Sequence, residues 1–510
     1  MSHSRLVILA LTLASVSAFP ALAQEKKEPT APPAKDKDKA KDKDADKLPH
    51  TKLAPAQHIP DLCVVKYRVS TDSAICQTYF DQGLGFYYSY VWMEAARSFE
   101  TAVKYDQTCA LAWWGLSKAC ERWGKAAYAP PLKKAQELLA FANERERRLI
   151  QARLQEKGLI EGVKVEDRRK QAARTLDELL TLYDDDEEGW FARAQVTDGP
   201  NAAVPFYKAL LRINPLHPGA HHELVHHYEN IRRPALGWPH AEGYVASSPG
   251  LPHAWHMQAH LAMRIGKWEK TTDRSARAIE LQEAYHKRMN VAPNDDWQFN
   301  HHLETLMQSL LHDGRFQEAH AIRKKCEGYK YLHRVHWFRL ALAERNYSEA
   351  LTQASLYRPK DKTATSYLRA LVYLHQGDPE RARPEVHVLQ EAFASNRKNA
   401  ELELRLWLAQ GLLQCATGEA DGGLKLLAKT IEKTKDDYNK HAWGHGAYYM
   451  EYWGAGALRA NRLAVAEEAF LEALAHDAGS VRGALGMYVV CERQGRTEEM
   501  NRFAELAQRC

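Results

Sequence analysis

Five histidines fall within eleven positions, from His217 to His227, in the stretch HPGAHHELVHHYEN. Inside it HELVH, His222 to His226, has the form of a zinc-metalloprotease helix, with Glu223 where a general base would stand. The spacing recurs. His256 and His260 are also four apart, and each follows its counterpart, His222 or His226, by the same offset. Residues i and i+4 share a helical face, so each pair can present two imidazoles together. Imidazole nitrogen suits zinc, copper, nickel or iron. His301, His302 and Glu304 follow as candidates for a third wall. A carboxylate, Glu223 or Glu304, would ligate or hold a bound water as general base. HExxH strings also arise by chance. Histidines on a helix also pack, stack on a neighbour such as Trp255, or meet a peptide carboxylate, and both readings stand. A further pair, His441 and His445 in HAWGH, reads as structural.

The elements that must position these residues are helices. Ala95, Phe99 and Ala102 form one helical stripe, and Ala466, Phe470 and Ala473 repeat it near the C-terminus. Before each stripe lies a helix with a small residue for close packing, Gly83 and Gly454. Breaks recur at GKW (266–268), GRF (314–316), GDP (377–379) and GRT (495–497). This is the helix–turn–helix pattern of the tetratricopeptide repeat, whose period is about 34 residues. The offset between the two histidine pairs is that period. The expected fold is all-α, a tetratricopeptide-type solenoid in which helix pairs wind as a right-handed superhelix, with roughly eight to ten repeats. HMQAH (256–260) precedes GKW, so it lies on the first helix of its repeat. First helices line the concave face. The two histidine pairs should therefore stand side by side on the groove, with helix axes about 8–10 Å apart. Residues 125–170 are helical but off-period, and residues 281–298 lengthen one repeat.

Beyond the generic repeat, the chain resembles a family of exported bacterial tetratricopeptide proteins. The segments that carry the resemblance are FDQGLGFYYSYVWMEAARSFETA, CALAWWGLS (109–117), ERERRLIQAR (144–153), HPGAHHELVH (217–226), HMQAH (256–260) and NHH (300–302). They span roughly residues 70 to 320. The resemblance implies a repeat architecture and little about activity. Here the positions around the histidines read His221, Glu223 and His227, a departure from the family's Tyr- or Asn-rich pattern.

Residues 1–23 read as a signal peptide: basic Arg5, an apolar run from Leu6, and ALA before Gln24, with cleavage after Ala23. The expected location is periplasmic or secreted. Residues 24–55 read as a disordered tether rich in Lys, Asp and Pro. Then follow N-terminal repeats at 56–124, the off-period insertion at 125–170, histidine-rich repeats at 171–320, and C-terminal repeats at 321–510.

Eight cysteines include no CxxC, which excludes thioredoxin-like and haem-attachment motifs. Cys76 and Cys109 are close to one repeat period apart, fall at similar repeat edges, and are the candidate disulfide. Free buried thiols are the other reading. The aromatic residues Tyr87, Tyr88, Tyr90, Trp92, Trp113, Trp114 and Trp123 read mostly as core, a few as anchors for a ligand peptide. A net charge of +5 over 510 residues, without a basic patch, argues against nucleic acid. No later segment has the apolar length of a membrane span. No nucleophile elbow, phosphate loop or dinucleotide fingerprint occurs. The leading reading is a scaffold that binds a protein or peptide on its concave face. The alternative is a metalloprotein, a hydrolase or oxidase, with zinc or another transition metal on the histidines. A structural spacer is third.

Overall fold

The computed structural model describes residues 47–435 and 447–509. Among these residues the regular elements are helices, and consecutive helices pack in pairs. Twelve pairs run from Ala74–Tyr88 with Trp92–Tyr105 to Val481–Gln494 with Thr497–Arg509. This exceeds the eight to ten expected. Residues 125–170, expected as an insertion, contribute short helices, Ala129–Glu137 and Glu144–Glu156, that join the stack. The fold is an all-α tetratricopeptide-type solenoid. No helix of the described residues is long and apolar enough to cross a membrane. His441, His445, Cys510, the signal peptide and most of the tether lie outside the described residues.

The turns follow from local chemistry. Gly266, Gly314, Gly377 and Gly495, the glycines of the four sequence breaks, have φ of +72°, +69°, +78° and +73°. That left-handed backbone is what ends a helix cheaply with glycine. The stripes are packing devices. Phe99 packs against Gly83 and Gly115, where an added Cβ would fall 2.8 and 2.6 Å from its ring. Phe470 does the same to Gly454 and Gly486 at 2.5 and 2.4 Å. Each phenylalanine thus fills the space where two neighbouring first helices have no side chain.

Two long-range ties hold the array. The N-terminal segment before Ala74 is a strap. Leu48 is buried, the backbone N–H groups of His50 and Thr51 donate to Glu100, and Val64 N donates to Ser247 O. The tether expected to reach residue 55 therefore ends sooner, because residues 47–55 find apolar cover and a buried carboxylate. At the other end Trp268 Nε1 donates to Asp477 Oδ1 at 3.2 Å, and the turn at Gly479 meets the turn at Gly266. Beside this clasp lies a cleft of about 430 Å³ between the middle and C-terminal repeats, lined by Trp268 and Asp477 among others.

Candidate metal centre

Three first helices, Pro218–Asn230, Pro252–Arg264 and Trp297–His312, carry the site and contact one another in order. Their starts are well specified. His217 caps the first, its Nδ1 accepting from Ala220 N at 3.1 Å ahead of Pro218. Asp296 caps the third by accepting from Gln298 N. Proline at the first position pre-sets the helical φ of the first two.

The histidines gather into two trios. His222, His226 and His253 form one; His256, His260 and His301 form the other; within each, the nitrogens lie within 4.8 Å of one another. The two trios adjoin. The rings of His253 and His256 are 5.9 Å apart, and His302 lies 4.0 Å from His256 and 6.3 Å from His253. His222, His226, His256, His260, His301 and His302 are thus brought into one region. Glu304 lies at its edge, 3.8 Å from His301 Nδ1. The expectation of a groove-lining strip does not describe their setting. His222, His256, His260 and His302 are buried, and only His226 and His301 are partly exposed. Tyr90, from the first repeat, packs over His222 and His226, a cover that spacing alone does not reveal.

The first trio is oriented from behind. His222 Nδ1 donates to Tyr88 O at 2.6 Å. Gln298 Nε2 stands 3.3 Å from His253 Nδ1. His226 Nδ1 faces Glu229 at 3.8 Å. With each Nδ1 so held, the Nε2 atoms are left to converge: His253 Nε2 is 3.0 Å from His222 Nε2, and His226 Nε2 is buried without a hydrogen-bond partner. Supporting groups on the outer nitrogen are what orient histidine ligands at metal sites. Glu229 serves both trios, since it also lies 3.4 Å from His260 Nδ1 and accepts from Arg264 Nε at 2.7 Å. The two imidazoles and the guanidinium hold its carboxyl far below the usual range. His302 is held by Gln282, Nδ1 to Oε1 at 2.5 Å, and its buried Nε2 has no partner.

Burial, then neighbouring imidazoles, push His222, His253, His256 and His302 well below the usual histidine range. They are neutral at physiological pH, the form that ligates.

Glu223 does not enter the trio. Its carboxylate accepts from Tyr90 Oη at 3.0 Å, and burial raises its pKa. Tyr90 then lids the trio, stacked on His226 at 5.7 Å and tilted over His222 at 4.4 Å. Its φ is +60°, a left-handed conformation that costs a tyrosine about 1–3 kcal/mol.

Sequence reading passed over His253, Glu229, Gln282 and Gln298, and took Tyr90 as a core residue or peptide anchor rather than part of this site. Two were within reach: His253 precedes His256 by one helical turn, and Glu229 follows His226 by one. The long second helix Trp268–Met289 and the 3₁₀ turn Pro293–Asp295 are the lengthened repeat; this segment supplies Gln282 and leads into Gln298. Tyr90 has no local signal.

Elsewhere Cys76 and Cys109 are buried free thiols, near enough that each shifts the other's titration. The candidate bridge is thus a neighbouring pair.

No family model matches the sequence, and no curated protein matches it. Solved structures similar to it include the P58(IPK) TPR domain, 11% identical over 83% of this chain and 99% of that one, TM-score 0.24. The APC/C hetero-tetramer Cut9-Hcn1 is 11% identical over 86% and 74%, TM-score 0.29. The human IFIT1 dimer with m7Gppp-AAAA is 14% identical over 86% and 90%, TM-score 0.28.

Proposed function

We propose that the chain is a helical-repeat metalloprotein holding two transition-metal ions, one in each histidine trio. One observation carries this reading. In the first trio the three Nδ1 atoms face groups that hold them from behind, while the Nε2 atoms turn inward at 3.0 Å or without a partner. A packing role needs no such division between the two nitrogens of each ring. Three imidazoles suit zinc, copper or nickel and leave a coordination position open. The test is metal analysis of the full chain, purified without an affinity tag, loaded with zinc and dialysed. Two tightly held ions per chain are expected, with His253→Ala and His260→Ala each removing one. A wild-type chain that retains no zinc overturns the reading.

A second reading, a scaffold for a protein or peptide, is favoured by the cleft beside the clasp. Its wall combines Tyr367, Tyr448 and Tyr452 with Arg339, Arg405 and Arg482, and with Glu401, Glu451 and Asp477. Aromatic anchors beside charges of both signs suit a polypeptide segment. Fluorescence polarisation with a panel of labelled peptides tests it. Binding that survives both Tyr452→Ala and Arg482→Glu would place the peptide elsewhere.

Export is proposed with both readings, on the strength of residues 1–23; intact mass of the protein recovered from the producing cell tests cleavage after Ala23. An oxidising compartment would let Cys76 and Cys109 join, since the two thiols are neighbours. Peptide mapping of the exported protein without reduction tests that bridge.

A further inference from the structure

The second repeat buries an amine that the metal reading does not use. Trp114, Lys118 and Arg122 stand four apart on the helix Ala110–Trp123, so they share one face. All three line a cleft of about 410 Å³, whose other walls come from the helices Glu144–Glu156 and Glu187–Gln195. Lys118 is 4% exposed. Its Nζ lies 4.1 Å from the centre of the Trp114 ring, 4.6 Å from that of Tyr87 and 5.8 Å from that of Phe191. It donates to Glu188 Oε2 at 3.5 Å, a long contact. An ammonium carries three donors. One long bond among aromatic rings leaves most of that hydration unreplaced, which favours the neutral amine. Burial, then the Arg153 guanidinium, hold Lys118 well below the ordinary lysine value, and burial lifts Glu188 to about 8. The pair is a neutral amine beside a protonated carboxyl.

We infer that Lys118 is the reacting amine of a second site, where it condenses with the carbonyl of a small oxo acid whose carboxylate rests on Arg122. The cleft supplies the anchor. Its two carboxylates, Glu121 and Glu156, are taken up by Arg153 and Lys157. Arg122 is exposed and has no ion-pair partner among the described residues. A guanidinium holds a carboxylate through paired N–H donors. Trp114 Nε1 is buried without a hydrogen-bond partner and is a further donor at the same cleft. The condensation balances. The Nζ lone pair attacks the carbonyl carbon, and one N–H proton passes to the carbonyl oxygen to give a carbinolamine. Glu188 gives its proton to that hydroxyl, water leaves, and the C=N bond forms. The product is a protonated imine beside the Glu188 carboxylate, reached without oxidant or reductant. A lysine desolvated near other cations is the form in which this residue acts as such a nucleophile.

Reductive trapping tests this. The full chain is incubated at neutral pH with glyoxylate or pyruvate and cyanoborohydride, then digested for peptide mapping. A reduced adduct at Lys118 is expected well ahead of any at surface lysines, which are protonated at that pH. Arg122→Gln should raise the oxo-acid concentration for half-maximal trapping about tenfold, the scale of one charged hydrogen bond. It should leave trapping of acetaldehyde, which has no carboxylate, unchanged. Glu188→Gln should slow adduct formation about 100-fold, the scale of a lost general acid. The wild-type map alone decides the site, whatever a variant does to folding. Adducts spread over surface lysines with none at Lys118 overturn it, and equal oxo-acid trapping in wild type and Arg122→Gln overturns the carboxylate anchor.

Discussion

The Nε2 atoms of His222 and His253 face each other at 3.0 Å, and the side-chain amide of Gln298 decides what that contact is. His222 Nδ1 keeps its proton for Tyr88 O, so His222 Nε2 is a bare lone pair. If the Gln298 amide presents its NH₂ to His253 Nδ1, the proton of His253 sits on Nε2 and donates to His222. If the amide presents its oxygen, the proton moves to Nδ1 and two lone pairs converge on the space an ion would take. One amide flip therefore separates a hydrogen-bonded trio from a ligating one. In the structure the amide nitrogen faces His253 Nδ1, so the ligating tautomer needs the flipped amide, and Gln298→Leu removes the oxygen that would then accept from Nδ1. It should weaken zinc binding at this trio about 10–100-fold, the range for a lost supporting group. Gln298→Glu, which can only accept, should bind at least as tightly as wild type. Chelator competition measures both, and equal affinities in all three proteins would show that Gln298 does not govern the site.

Glu223 should behave unlike a ligand. It holds Tyr90 rather than facing the ion. Glu223→Gln keeps a hydrogen-bond acceptor for the hydroxyl and should leave zinc affinity within about threefold, whereas His226→Ala should lower it by about 100-fold or more, the upper end for lost ligation support. Isothermal titration at the two-ion stage reads the difference. A Glu223→Gln chain as impaired as His226→Ala would make Glu223 a ligand after all.

The metal-free protein should lose stability in mild acid. His217 is buried against Tyr88 and Phe191, its Nδ1 accepts from Ala220 N, and burial lowers its pKa to about 3. The unfolded chain titrates near 6.5 and so binds more protons below that pH. The stabilisation is whole above about pH 6.5 and falls by about 1.4 kcal/mol per pH unit down to the folded value. His217→Asn keeps a capping acceptor and removes the titration. Thermal melts between about pH 7 and 5 should show a shallower decline for the variant; parallel curves would assign the acid sensitivity to other groups.

Gly454→Ala tests the packing stripe. Its Cβ would lie 2.5 Å from the Phe470 ring, which is also wedged against Gly486 and cannot retreat. Overpacking of this kind costs about 1–3 kcal/mol. Denaturant unfolding measures the loss, and Gly454→Ala with Phe470→Leu should recover part of it. No loss in the single variant would mean that the helix pair shifts freely.

These glycines mark how far the sequence could be read. Gly83 and Gly454 stood out because a small residue before an Ala–Phe–Ala stripe has one economical use. The four break glycines stood out because a helix end needs a residue tolerant of positive φ. The histidine register was legible for the same reason: repeats convert a sequence offset into adjacency. What the register hides is the pairing across it. His253, one turn before His256, was within reach as a histidine, but it joins the first trio although it sits on the helix of the second. Tyr90 reaches the site from a turn four repeats away in the pairing order, and the strap through Val64 and Ser247 is a long-range contact with no periodic signature. The repeat count fell short because short helices, such as Ala129–Glu137 and Glu187–Gln195, do not keep the tetratricopeptide spacing.

The clasp between Trp268 and Asp477 should decide whether the C-terminal repeats unfold with the rest. The indole donates to the carboxylate, stacks on His312 at 3.9 Å, and is almost wholly buried. His312 Nε2 and Gly479 N approach the same carboxylate at 3.5 and 3.1 Å. In a repeat array each unit otherwise touches only its neighbours, so stability is close to a sum of local terms and the ends fray first. A contact spanning 209 residues changes that. It makes opening of the last repeats require the loss of a buried charged hydrogen bond, worth about 1.5–3 kcal/mol. Trp268→Phe keeps the stacking ring and removes only the donor. Hydrogen exchange should then accelerate about 10–100-fold in Leu463–His476 and Val481–Gln494, the scale of that energy, and stay unchanged in Ala74–Tyr88. Equal acceleration along the whole chain would mean that the array already unfolds as one unit, and unchanged exchange throughout would mean that His312 and Gly479 hold the clasp without the indole.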